Sequence, residues 1–246
     1  MTSERLKIML LGPLTAGKKR EETIQNVKKT YDSVKHPQTD IEVVLIKQGS
    51  SFINTRFDAS LNTSYALLEM EKAEDKGFDA IYNGCSADVG VTAARERLNI
   101  PVLGAGHASI TIATLLGRRF SILTPLKNGI PLMEDLVRSY GLESKLASVR
   151  SLDIPVEQLS VQSKKLKQRL LEEAEKTIKE DGADVIVFGC GGLIGLEKWL
   201  QNKLKIPVIS PTIGLKVLES LLNIGLSHSK IAYPSPPPKK ERLIKY

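Results

Sequence analysis

Apolar and polar positions along the chain fall into two alternating patterns. Short runs rich in large apolar residues, such as Ile8-Met9-Leu10-Leu11, Ile41-Glu42-Val43-Val44-Leu45-Ile46 and Ala80-Ile81-Tyr82, read as strands, and the longer stretches between them carry helical spacing. The clearest helix spans Gln162 to Asp181, where Leu166, Leu170, Ala174 and Ile178 recur every fourth residue among lysines and glutamates. Gly182 then stands where a left-handed helix stop belongs. Strands alternating with helices along the whole chain predict an α/β fold built on parallel sheets.

The pattern also repeats on a larger scale. Gly77-Phe78-Asp79-Ala80-Ile81-Tyr82-Asn83-Gly84-Cys85 matches Gly182-Ala183-Asp184-Val185-Ile186-Val187-Phe188-Gly189-Cys190 in its Gly, Asp, apolar run, Gly and Cys, at a constant offset of 105. Asn99-Ile100-Pro101-Val102-Leu103 pairs with Lys205-Ile206-Pro207-Val208-Ile209, and Leu10-Leu11-Gly12-Pro13-Leu14 pairs with Ile122-Leu123-Thr124-Pro125-Leu126. Two copies of one βαβαβαβ unit follow, roughly Leu6 to Gly106 and Arg119 to Thr212, each trailed by a helical stretch, Ala108 to Leu116 and Ile213 to Leu222. The expected object is two similar lobes, each a four-stranded parallel sheet flanked by helices, related by a pseudo-twofold axis. Residues 1–107 with 213–233 form the expected first lobe, 108–212 the second, and 234–246 a Pro/Lys-rich tail in which a proline cluster favours extended chain.

The protein has two cysteines, and both occupy the same place in the two copies, directly after a strand. In open parallel sheets ligands bind beyond the carboxyl ends of the strands, so Cys85 and Cys190 are expected to face one cleft. Backbone N–H groups at the neighbouring helix starts are expected to favour thiolate over thiol. A thiol's ordinary pKa of about 8.5 lies near working pH, so one cysteine can act as base while the other acts as acid. Two such groups on opposite faces of a carbon acid invert its stereocentre, with no metal or cofactor. A redox disulfide is the weaker reading, since there is no Cys-x-x-Cys.

Composition narrows the field further. At 246 residues, 41% of them apolar, the chain buries a sizeable core without disulfides. Its charge of +7 comes partly from the tail, where Lys239, Lys240, Arg242 and Lys245 oppose Glu241. Aromatics are only 5% and no basic stripe interleaves with them, so a basic surface suited to anionic small molecules is expected rather than a nucleic-acid site. The start of the chain, with three charges between Met1 and Lys7, lacks a signal peptide's long apolar run, and the longest uncharged stretch, Ile100 to Gly117, is broken by proline and glycines. A cytoplasmic location and no membrane partner are the expectations.

Gly84-Cys85-Ser86-Ala87-Asp88-Val89-Gly90-Val91 with Ala93-Ala94-Arg95-Glu96, Pro101-Val102-Leu103-Gly104, Leu116-Gly117-Arg118-Arg119-Phe120-Ser121-Ile122-Leu123-Thr124 and Gly189-Cys190-Gly191-Gly192-Leu193 together resemble the aspartate/glutamate racemase superfamily, most of all its hydantoin racemase branch. The resemblance implies that the paired cysteines donate and accept the proton, and that the protein is a homo-oligomer. The chain departs from the branch at Gly12-Pro13-Leu14-Thr15, where an Asn-Pro-Asn-Thr run is usual, at Val89 for proline, and at Asn54 and His107 for glutamate. The reading is a cofactor-independent racemase or epimerase of a small anionic or imide-like molecule, such as a hydantoin, an allantoin-like ring or an amino acid. A decarboxylase or cis-trans isomerase of the same superfamily and a non-catalytic two-lobed binding protein are the alternatives.

Around the catalytic candidates Cys85 and Cys190, the expected substrate-binding residues are Gly12, Gly49, Gly84, Ser86, Thr124, Gly191 and Gly192 at strand ends, and His107 near the lobe crossing. Asp88 is expected to orient a thiol, to hydrogen-bond the substrate, or to serve as a helix cap or dipole partner. Gly12 to Lys19 nearly spells a phosphate-binding loop, but Lys19 stands where the magnesium-binding hydroxyl belongs, and Thr124-Pro125-Leu126 repeats the same turn in the second copy.

Overall fold

The computed structural model describes residues 5–237. Two four-stranded sheets form, and every strand pair in them is parallel. The first contains β1 (Leu6–Gly12), β2 (Thr39–Leu45), β3 (Ala80–Asn83) and β4 (Val102–Gly104) in the order β2-β1-β3-β4. The second contains β5 (Phe120–Thr124), β6 (Leu146–Ser151), β7 (Val185–Phe188) and β8 (Val208–Ile209) in the order β6-β5-β7-β8. The strand order of one sheet is that of the other, as the repeat requires.

Position in the sheet explains the apolar patterns. β1 and β3 are central, covered on both faces, and Ile8 to Leu11 and Ala80 to Asn83 are continuously buried. β2 is an edge strand and alternates instead: Thr39, Ile41, Val43 and Leu45 point inward while Asp40 and Glu42 are exposed. Helices α1 (Arg20–Asp32), α2 (Arg56–Met70) and α3 (Val91–Arg97) connect the first sheet, and α5 (Gly129–Ser139), α6 (Lys164–Lys179) and α7 (Glu197–Leu204) the second, with α4 (Ala105–Leu116) and α8 (Ile213–Asn223) following the last strands. The most regular helix of the sequence is α6. Ser163 caps it through the Leu166 N–H, Leu166, Leu170 and Ala174 are buried, and Gly182 takes φ +73° beyond its end.

The repeated Gly-x-Asp is structural. Gly77 (φ +68°) and Gly182 turn the chain. Asp79 accepts a hydrogen bond of 2.7 Å from the Lys7 N–H at the start of β1, and Asp184 accepts from the N–H groups of Arg118 (2.9 Å) and Arg119 (3.0 Å) before β5. Each aspartate therefore stitches its strand to the first strand of its own sheet.

The trailing helices are exchanged. α8 lays Leu215 and Leu218 into the core around Ile8, Leu10 and Tyr82 of the first sheet, whereas α4 lays Ile110 and Ala113 against Phe120, Ile122, Val185 and Val187 of the second. They touch at Gly214, where a Cβ would stand 2.6 Å from Tyr82 and 2.9 Å from Ala108. The Tyr82 hydroxyl donates to the Pro211 carbonyl across the same contact. Of the tail, Pro234 to Pro237 is chain without helix or strand, and the rest lies outside the described residues. Among the described residues no helix is long and apolar enough to cross a membrane.

Candidate functional site

A cavity of about 310 Å³ opens at the carboxyl ends of both sheets. Both cysteines line it, and equivalent hydrogen bonds bring them there. The Gly84 N–H donates to Leu11 of β1 and the Gly189 N–H to Leu123 of β5, each at 2.9 Å. These bonds end the pairing of β3 and β7, and the next residue in each case is the cysteine. The two turns meet across the cavity floor: a Cβ on Gly191 would lie 3.9 Å from the Gly84 carbonyl oxygen.

The turns are held by different means. In the first, buried Asn83 accepts from the Cys85 N–H (3.0 Å) and donates to the Val89 carbonyl (2.7 Å). Asp88 takes a left-handed φ of 49° and its N–H returns to the Cys85 carbonyl. In the second, residues 191–193 form a single tight turn, the Gly192 N–H points at the Cys190 Sγ (3.4 Å), and fully buried Leu193 enters the core beside Leu123 and Phe188.

Both thiols are half-buried and unbridged. Each opens to the cavity on one side and is enclosed by protein on the others, so desolvation governs its ionisation. Burial pushes Cys85 up to about 12, against an opposing Ala87 N–H, with the Cys190 and Asp88 charges adding to the rise. Burial also raises Cys190, partly offset by the Gly192 N–H. The N–H groups expected to favour thiolate are in place, but burial outweighs them and pushes both groups toward the neutral thiol.

Of the expected binding residues, the cavity wall brings together Gly12, Gly84, Ser86, Thr124, Gly191 and Gly192. It does not include Gly49 or His107. Gly49 (φ +116°) serves the scaffold, because a Cβ there would lie 2.3 Å from Asn62 Oδ1. Asn62 is buried and ties two loops together, accepting from the Ser50 N–H and donating to the Pro13 and Ser50 carbonyls. His107 stacks on Tyr140 with centroids 3.8 Å apart, and burial, then the Arg95 charge, lowers its pKa to about 4. Burial thus disfavours its charged form, and its ring packs on Tyr140 outside the cavity wall.

The sequence reading missed the contribution of α1. Thr23, Val27 and Tyr31 recur every fourth residue and form one side of the cavity. The spacing was visible, but Ile24 and the surrounding charges obscure a stripe of only three residues. Phe52, Ile53 and Asn54, before α2, and Leu132 and Met133 of α5 also line the cavity. Asn54 Oδ1 and Ser86 Oγ are buried without hydrogen-bond partners, and the buried Tyr31 hydroxyl makes no directed hydrogen bond although Tyr82 lies close enough to influence it. Among the described residues no Lys, Arg, Asp, Glu or His lines the cavity. Among the described residues no cluster of three or more His, Cys, Asp or Glu is placed to hold a metal.

The family model described as Asp/Glu/Hydantoin racemase matches residues 20–214. A hydantoin racemase of Rhizobium meliloti is 36% identical over 205 residues, covering 82% of this chain and 85% of that protein. A hydantoin racemase of Pseudomonas sp. (strain NS671) is 31% identical over 210 residues, 85% of this chain and 84% of its own length. The crystal structure of allantoin racemase from Pseudomonas fluorescens superposes with a TM-score of 0.89 at 29% identity, covering 96% of this chain and 100% of that one.

Proposed function

The chain belongs to the Asp/Glu/hydantoin racemase family and is an isomerase of the racemase type; from that premise we propose that it inverts a carbon next to a carbonyl by proton transfer between Cys85 and Cys190, and that its substrate is a neutral imide-like ring of the hydantoin or allantoin kind. The observation that carries the reading is the equivalent placement of the two thiols on one cavity, each at the end of the third strand of its sheet.

One cysteine, as thiolate, removes the proton, and the electron pair left on carbon moves into the adjacent carbonyl to give an enolate. The other, as thiol, delivers its proton to the opposite face as the carbonyl re-forms. The pair ends with its protonation states exchanged, ready for the opposite enantiomer, and solvent exchange restores the first form. N–H groups of the turns, which point toward the sulfurs in the free protein, are donors for the enolate oxygen. Serine and asparagine atoms left unpaired by the protein are partners for ring N–H and carbonyl groups.

The apolar, hydroxyl and amide groups that the described residues give the wall suit the ring better than an amino acid. A free aspartate or glutamate would bring an ammonium and two carboxylates into a lining that, among the described residues, offers no opposite charge, and desolvating them costs several kcal/mol per ion. The test is proton NMR in heavy water with single enantiomers of 5-substituted hydantoins, allantoin, aspartate and glutamate. Loss of the α-proton signal together with optical purity is expected for a ring and not for the amino acids; exchange of aspartate or glutamate alone would overturn the substrate reading.

A further inference from the structure

Beside the cavity, and outside its wall, lies a buried polar cluster that joins the two lobes. Asp88, 7% exposed, is its centre. Its Oδ1 accepts from the Gly106 N–H and its Oδ2 from the His107 N–H, both at 2.8 Å, so a residue of the Cys85 turn caps the start of α4. Its Oδ2 also accepts from the Tyr140 hydroxyl at the end of α5, again at 2.8 Å. His107 stacks on Tyr140, and buried Arg95 completes the group, donating to the Val102 carbonyl and the Tyr233 hydroxyl. The approach is close enough to demand glycine: a Cβ on Gly104 would lie 2.2 Å from the Asp88 carboxylate, and one on Gly106 2.3 Å from the Ser86 carbonyl.

The second copy has no such cluster. At the same offset of 105 the counterpart of Asp88 is Leu193, which packs into an apolar core. The two cysteine turns share a backbone plan but differ in what fastens them. Asp88 also stands three residues from its cysteine, and its N–H bonds to the Cys85 carbonyl.

We propose that Asp88 is a positioning residue for Cys85 alone: by fastening the turn that carries this cysteine to the start of α4 and the end of α5, it sets where the first thiol stands across the cavity from Cys190. The inference rests on the two-cysteine reading for its catalytic consequence, and on the hydrogen bonds for its structural one. α5 packs on the second sheet and α4 on both, with Ala105 and Ala108 in the first core and Ile110 and Ala113 in the second, so the carboxylate ties a first-lobe turn to the helix that crosses between the lobes and, through Tyr140, to a second-lobe helix. Inversion needs both thiols within reach of one carbon, and small misplacement of either is costly.

The experiment compares Asp88→Asn and Tyr140→Phe with the unaltered protein. Initial rates are measured for both enantiomers of a turned-over hydantoin, and the modification of each cysteine by iodoacetamide is followed by peptide mass spectrometry. Asp88→Asn puts an amide N–H against existing donors, and kcat is expected to fall about tenfold or more with KM within about twofold. Cys85 is expected to alkylate several times faster, since its turn is loosened and a neighbouring negative charge is gone, while Cys190 stays unchanged. Tyr140→Phe keeps the helix cap and the ring stack, removes one hydrogen bond, and gives the same pattern more weakly; it carries the test if Asp88→Asn does not fold. Unchanged kcat and unchanged alkylation, or a parallel rise at both cysteines, would overturn the proposal. Inversion surviving in Cys85→Ala would overturn the two-cysteine reading instead, and the alkylation contrast would still judge the role of Asp88.

Discussion

The Cys85 and Cys190 turns begin identically. Each follows a buried strand, each is preceded by a glycine whose N–H closes the ladder onto the central strand, and each has an N–H two residues after the cysteine directed at the sulfur. They then diverge. The first is pinned by polar groups, Asn83 and Asp88, and the second by the burial of Leu193. Symmetry is thus kept where the proposed chemistry needs two equivalent groups, and lost where the chain needs only to hold them. The first turn faces the lobe crossing, where a helix start and a tyrosine from the other lobe present donors to a carboxylate, which offset part of the burial that raises Asp88 to about 6. The second faces its own lobe's interior, where an unpaired carboxylate would be costly.

The largest test of the comparison removes the sulfurs. Cys85→Ala and Cys190→Ala are each expected to lower the racemisation rate by about a thousandfold or more, because either one alone leaves one face of the carbon without a proton donor. Polarimetry measures this, and retention of the rate in one variant would show that the two turns are not functionally equivalent. Next in size is the pH profile. Both thiols are raised by burial, so the fraction holding a thiolate grows with pH; kcat/KM is expected to climb between about pH 7 and 9 for both enantiomers. A flat profile there would mean that the base already exists at neutral pH.

Smaller effects separate the two ways of fastening. Leu193→Ala empties a fully buried site and is expected to cost about 2–5 kcal/mol in urea unfolding. Asn83→Ala leaves the Cys85 N–H and Val89 carbonyl unsatisfied, at a cost of about 1–3 kcal/mol per group, and should depress kcat more than Leu193→Ala does. The reverse order of kcat effects would break the distinction. Smallest of all is Arg56→Ala, which removes an exposed ion pair to Asp135 linking α2 to α5 at the rim; kcat should stay within about twofold.

Much of this was legible in the sequence because it is written as a repeat. The Gly-x-Asp, apolar run, Gly and Cys recur at one offset, and the two sheets with their matching strand orders and the cysteines on one cavity are their direct consequence. What was not legible depends on approach in three dimensions. Thr23, Val27 and Tyr31 face the cavity only because α1 lies along β2 over the first core. Gly49 and His107 sit near strand ends yet meet Asn62 of α2 and Tyr140 at the end of α5, contacts that spacing along the chain does not reveal. Asp88 does cap a helix, though not the nearby α3 but α4 beyond the next strand. The effect of burial on the thiols is not legible in the sequence, because the helpful N–H groups are local and readable, whereas enclosure by both lobes is neither.

The central claim is that two groups, not one, handle the proton. The direct measurement is the first turnover of a single enantiomer of a racemised hydantoin in heavy water, with separated substrate and product analysed for deuterium at the α-carbon. Two cysteines on opposite faces require product that is fully deuterated while the remaining substrate keeps its proton. Product that retains the original proton would show a single group acting on both faces and would contradict the account.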